Sequence, residues 1–231
     1  MSTTPTTVRD EWRRRFGISE PRKIICVGLN YHGHAAEQGV EPPAEPLLFG
    51  KFANAVVGPG DPIVLPAESS HVDAEAELAV VIGTRCRHVD ASDALGVIAG
   101  FTAANDVSAR DLQFRDGQWL RAKSFDTFCP LLPSLVPPSE LGDGSGLHIV
   151  QRLNGETLQD SSTSDLIFDV PTLVAYASAV FTLEPGDVLL TGTPEGVGIF
   201  RDPKIALAPG DEVVVEIERI GSLVNFVVGP Q

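Results

Sequence analysis

The sequence predicts one β-rich α+β domain, and three observations carry that expectation. Short apolar runs bounded by glycine or proline recur along the chain, from Lys23-Ile24-Ile25-Cys26-Val27-Gly28-Leu29 to a last strand pair within residues 209–228. Helical signals are fewer and mostly short, near residues 8–16, 30–39, 92–100, 106–113 and 171–181. No internal repeat or linker divides the 231 residues, and a domain of that size buries roughly 70% of its extended surface. Residues 1–22 read as an amino-terminal extension and 23–231 as the domain.

Composition narrows the function classes. Hydrophobic residues make up 43% and charged residues 21%, ordinary values for a globular chain. No stretch approaches the ~20 apolar residues of a membrane span. Met1-Ser2-Thr3-Thr4-Pro5-Thr6-Thr7 lacks the apolar core of a signal peptide, so a cytoplasmic protein is expected. A net charge of −14, from 31 acids against 17 bases, argues against nucleic acid and against an acidic membrane surface. A small anionic substrate stays compatible if a metal ion and a few local cations supply positive charge. Cys26, Cys86 and Cys129 are odd in number and far apart, without zinc or redox spacing, and read as buried free thiols in a reducing compartment.

In chain order, a Thr/Pro tail leads into a short helix near Val8–Phe16 whose basic run faces solvent, and Lys23–Leu29 is the first buried strand. Asn30 to Gly39 reads as a helix with Asn30 as N-cap and Gly39 as stop. His34 and Glu37 share one face of it at i, i+3 spacing, either as an exposed pair or as an imidazole oriented by a carboxylate on a lid. Leu47–Phe52 is a strand carrying Lys51, Pro59-Gly60-Asp61-Pro62 a turn, and Ile63–Leu65 a strand.

Leu78 to Ile82 is a buried strand ending at Gly83, and side-chain alternation puts Glu75 and Glu77 together on one face. Two carboxylates at the mouth of an apolar strand repel each other and lose hydration, so a metal ion, an Arg or Lys, or solvent should lie between them. A short apolar helix from Ser92 runs into the strand Phe101–Asp106. Asp106, Arg110 and Gln113 then fall at i, i+4 and i+7 of a following helix, either a wet face or a ligand, a carboxylate clamp and an amide for an oxygen-rich anion. Lys123 stands in an apolar neighbourhood, where a lysine either snorkels or enters a cleft.

Leu147–Leu153 followed by Asn154-Gly155 predicts a hairpin, and Pro171–Phe181 a helix with proline in its first turn. Strand Asp187–Leu190 enters Thr191-Gly192-Thr193-Pro194-Glu195-Gly196-Val197-Gly198. Its glycines let backbone approach a ligand and Thr193 offers a hydroxyl, but no lysine follows to make a nucleotide P-loop.

Together these motifs resemble the fumarylacetoacetate hydrolase family in its compact form, over nearly everything from Ile24 to Val228. The marks are Val27-Gly28-Leu29-Asn30-Tyr31 with His34 and Glu37, Glu75-Ala76-Glu77 before Leu78–Gly83, Asn105 to Gln113, Lys123-Ser124-Phe125-Asp126 and Thr191 to Gly198. The resemblance implies a mixed, barrel-like β-roll, usually a homodimer, with one Mg²⁺ or Mn²⁺ per subunit on Glu75, Glu77 and Asp106. All-oxygen ligation suits such hard cations. It further implies a catalytic set of His34, Glu37 and Lys123 and a substrate-binding set of Arg110, Gln113, Thr193 and Lys51. Ala74 departs from the His or aromatic residue of many relatives, a change that would widen the pocket.

The activity so implied is hydrolytic C–C cleavage of an acylpyruvate such as a fumarylpyruvate-like 1,3-diketo acid, giving pyruvate and a carboxylic acid. The alternatives are decarboxylation of oxaloacetate or a related 2-oxo acid, and isomerisation or hydration of 2-hydroxyhepta-2,4-diene-1,7-dioate-like dienes in aromatic catabolism. A non-catalytic relic of the fold is a remote alternative, since such a relic should have lost one of the three acids, the dyad or Lys123, and all are present.

Overall fold

The structure, a computed structural model, describes residues 7–230. The Thr/Pro tail read at residues 1–6 lies outside the described residues. Helix α1 (Val8–Phe16) is capped by the Thr7 hydroxyl, which accepts from Asp10 N, and closed by Gly17 in the left-handed region. Arg13, Arg14 and Arg15 face solvent while Trp12 is buried, its Nε1 donating to Gly186 O at 2.8 Å. The helix therefore packs onto the body of the domain.

Strand β1 (Ile24–Gly28) leads into α2 (His32–Gln38), which Gly39 ends at φ 68°. Asn30 is not its cap, as Tyr31 holds that position without a side-chain bond. The Asn30 amide instead donates to Phe168 O and Thr191 O and accepts from Phe168 N, tying the end of β1 to two distant segments. Strands β2 (Leu47–Lys51), β3 (Val56–Val57), β4 (Pro62–Val64), β5 (Val72–Asp73) and β6 (Ala76–Ile82) follow. In place of the expected helix from Ser92, a 3₁₀ turn spans Ala91–Val97 before β7 (Ile98–Asn105).

Asp106 is not helical. Ser108–Ala109 forms β8 against β5, and helix α3 starts only at Arg110 (Arg110–Asp116). The remaining elements are α4 (Leu120–Lys123), β9 (Cys129–Pro130), α5 (Pro138–Leu141), the hairpin β10 (His148–Leu153) and β11 (Glu156–Ser162), α6 (Val170–Val180), β12 (Val188–Leu190), β13 (Glu212–Ile217) and β14 (Gly221–Val228). Asn154 and Gly155 both take positive φ in the hairpin, as a type I′ turn requires.

Two open five-stranded sheets, β2-β1-β12-β6-β7 and β11-β10-β13-β14-β4, form the frame of this β-rich α+β fold. Leu78, Val80, Phe101 and Ala103 from the first pack on Ile149, Val215 and Leu223 from the second. The other face of the first sheet, with Cys26, Ala79, Val81 and Leu190, packs on Trp12, Leu112 and Phe128. Apolar cover on both faces explains why Leu78–Ile82 of β6 reads as an unbroken hydrophobic run.

Strand direction then fixes the site. β6 is antiparallel to β7 and β12, and β12 is parallel to β1. The start of β6 and the ends of β7, β12 and β1 thus meet at one end of the sheet. By parity Glu77 shares the face of Ala79 and Val81, and Lys51, opposite Ile24, shares that of Cys26.

Candidate metal centre and active site

Glu75, Glu77 and Asp106 are all buried, and one carboxylate oxygen of each lies within 4.8 Å of the others. Lys123 reaches them from α4, its Nζ donating to Glu75 Oε2 at 2.6 Å and Asp106 Oδ2 at 2.7 Å. It neither snorkels nor leaves the cleft, being 2% exposed. The Arg110 guanidinium lies 2.6 Å from Glu75 Oε1, and its other nitrogens donate to Asp73 Oδ2 at 3.1 Å and Gln113 Oε1 at 3.0 Å. Lys51 pairs with Asp106 and donates to Val107 O, behind the acids and outside the cavity wall.

Glu77 has no cation of its own among the described residues; its Oε2 accepts from Gly192 N at 2.6 Å. Burial, then the charges of Asp106 and Glu75, push its carboxyl well above the usual carboxylate range. Burial acts the same way on Glu75, but Arg110 and then Lys123 overcome it and hold that carboxyl well below the range. Burial works to lower Lys123, and Asp106 and Glu75 more than offset it. Four buried carboxyls (Asp73, Glu75, Glu77, Asp106) thus face three buried cations (Lys51, Arg110, Lys123). A hard divalent cation fits this all-oxygen set and would leave the site net positive toward an anion.

Beside the acids is a cavity of about 100 Å³ lined by His34, Gln38, Arg110, Gln113, Lys123 and Thr193 among others. Its apolar wall is Phe49 and Trp119, stacked edge to face at 5.2 Å, with the Lys123 ammonium 5.3 Å above the Phe49 ring. Gly28, beneath that wall, lets the Trp119 ring lie close, since a Cβ there would meet the ring at 2.5 Å and push it aside.

Helix α2 covers the cavity. His34 Nδ1 donates to Glu37 Oε1 at 2.6 Å, and Glu37 Oε2 accepts from Gly196 N at 2.9 Å, so the dyad is locked to the Gly-rich loop. Thr193 donates its hydroxyl proton to Ala76 O and accepts from Gln159 Nε2, which leaves it one lone pair for a ligand. All the expected residues except Lys51 converge on the cavity or its immediate shell.

Two contributors were not anticipated. Asp73 accepts from Arg110, Gly198 N and Ile199 N and so couples the guanidinium to the loop. It stands two residues before Glu75, and the alternation 73, 75, 77 carried the signal. Gln38 bonds His34 from the next helical turn, visible as i, i+4 spacing.

This combination of three clustered buried acids, a buried lysine and a capping dyad defines a class of site that an oxygen-ligated hard cation would fit. The model of the fumarylacetoacetate (FAA) hydrolase C-terminal family matches residues 23–228, and the chain belongs to that family. Oxaloacetate tautomerase Fahd2a, mitochondrial, of Rattus norvegicus is 52% identical over 212 residues, covering 91% of this chain and 68% of the relative. The crystal structure of 2-hydroxyhepta-2,4-diene-1,7-dioate isomerase from Mycobacterium marinum is 46% identical with a TM-score of 0.80, covering 90% of this chain and 75% of the other. That of fumarylpyruvate hydrolase from Pseudomonas aeruginosa in complex with Mn²⁺ and pyruvate is 34% identical with a TM-score of 0.82, covering 90% of each chain.

The mitochondrial location in the first of these names overturns the cytoplasmic expectation. That expectation rested on a missing apolar core, which secretory leaders have and amphipathic mitochondrial ones do not need.

Proposed function

We propose that the chain is a divalent-cation-dependent enzyme that interconverts the keto and enol forms of a compact 2-oxo dicarboxylate of the oxaloacetate type. The observation that carries this reading is the 52% identity to a mitochondrial oxaloacetate tautomerase across 91% of the chain. The cavity lining supports it, since Arg110, Gln113 and Lys123 beside the three acids suit a small anionic oxo acid. Acylpyruvate hydrolysis, the leading expectation from sequence, becomes the second reading, favoured by the fumarylpyruvate hydrolase likeness.

Glu75, Glu77 and Asp106 would hold Mg²⁺ or Mn²⁺, which when bound would polarise the 2-oxo group and supply positive charge opposite the oxygen that becomes anionic. Arg110 and Gln113 orient the substrate carboxylates. Tautomerisation moves one proton from the carbon beside the oxo group to its oxygen and consumes no water. The Lys123 ammonium, held in the cavity wall by Glu75 and Asp106, is a donor for the oxygen that becomes anionic. The apolar wall and the α2 lid keep bulk water out.

The test is a product-resolved screen. Oxaloacetate enol–keto exchange is followed by ultraviolet absorbance, alongside pyruvate, CO₂ and acid release from oxaloacetate and acylpyruvates, with Mg²⁺ and Mn²⁺. Exchange faster than any bond cleavage supports the proposal. Dominant pyruvate and acid release from an acylpyruvate transfers the assignment to the second reading.

A further inference from the structure

His34 is the residue that would make hydroxide from water in a hydrolytic reaction, and its availability is decided by its neighbours. Nδ1 donates to Glu37, which leaves the lone pair on Nε2. An amide nitrogen can only donate, and Gln38 Nε2 lies 2.8 Å from His34 Nε2, so that lone pair already accepts a hydrogen bond. Glu37 is meanwhile fixed by Gly196 N. Both ring nitrogens are therefore engaged within one helical turn, and Gln38 itself lines the cavity.

We infer that Gln38 withholds the His34 base from water and so sets the reaction class of this site. The inference rests on the tautomerase reading and deepens it. Hydrolysis of an acylpyruvate needs a water whose proton passes to His34 Nε2. Its hydroxide adds to the distal carbonyl, the C–C bond breaks with its electron pair left on the pyruvate enolate, and that enolate then takes up a proton. With Nε2 occupied by an amide proton, the first of these steps has no acceptor. Proton exchange on a 2-oxo dicarboxylate breaks no C–C bond and consumes no water, so it needs no hydroxide made at Nε2. Gln38 is thus a positioning residue that acts through His34.

Three variants test this. Gln38→Met keeps the length and helix propensity of the side chain and removes the donor. It should raise the rate of acylpyruvate hydrolysis at least tenfold and shift the ratio of hydrolysis to oxaloacetate exchange in the same direction. The ¹⁵N resonance of His34 Nε2 should move with it, a signature that a purely structural role would not produce. Gln38→Glu, whose carboxylate favours a protonated Nε2, should leave hydrolysis at the parent level. His34→Ala in the Gln38→Met background should erase the gain.

A Gln38→Met hydrolysis rate equal to the parent's, or a His34 resonance that does not move, overturns the inference. Failure of the tautomerase reading looks different, as the parent itself would show no oxaloacetate exchange.

Discussion

Glu77 holds a carboxyl with one hydrogen bond, from a backbone N–H, and only the nearby Lys123 charge to help it, while burial, Asp106 and Glu75 all work against its ionisation. Glu77→Gln keeps the acceptor for Gly192 and removes the repulsion. With EDTA present the variant should melt at or above the parent's temperature, while Mn²⁺ affinity by calorimetry falls at least tenfold. The cysteines give a second residue-scale expectation. Burial pushes the Cys129 thiol up to about 12, and burial, then Asp106, pushes Cys26 up as well. Thiolate grows with pH, so at pH 8 a thiol near 12 is ionised in roughly one molecule in ten thousand. Iodoacetamide at pH 8 should label half-buried Cys86 first and the other two only after denaturation, read by mass spectrometry. Individual residues were the most legible part of the site, because Glu75 beside Glu77 breaks the rule for a buried strand. What Thr193 and Lys51 touch was not legible, since Ala76, Gln159 and Asp106 reach them from distant segments.

The Thr191–Gly198 loop works through its backbone. Gly196 sits at φ 96°, and a Cβ there would meet Leu158 O at 2.2 Å. Gly196→Ala should therefore cost about 2–3 kcal/mol in urea denaturation, larger than a surface change because a carbonyl cannot move aside. The same variant should loosen the lid, since the Gly196 N–H anchors Glu37. Strands β1 and β12 and the Leu78–Ile82 part of β6 could be read as apolar runs because burial on both faces leaves them no polar positions. The Asp106 stripe was misread because pairing of Ser108–Ala109 with Val72–Asp73 overrides helical spacing, and such a long-range bond leaves no periodic trace. Asn30 deceived for a related reason: its amide has the chemistry of a cap and spends it on Phe168 and Thr191.

For the molecule as a whole, a cation bound only by the folded state adds stability by mass action. Mn²⁺ at a hundred times its dissociation constant should raise unfolding free energy by ~2.7 kcal/mol, an increment that chelation removes. A homodimer is the assembly we propose, with exposed Phe52 and Phe114 as apolar contact candidates, and light scattering during gel filtration should give twice the chain mass of 24.6 kDa. The parallel pairing of β1 with β12 joins Ile24 to Val188 across most of the chain. During synthesis the first strand of that sheet must wait for one that begins only at Val188, and Glu77 waits for Gly192. The three-acid pocket is accordingly complete only once these distant segments have paired, and a cation bound there would act as a latch on a finished fold. In stopped-flow mixing, Mn²⁺ should slow unfolding while leaving the refolding rate nearly unchanged.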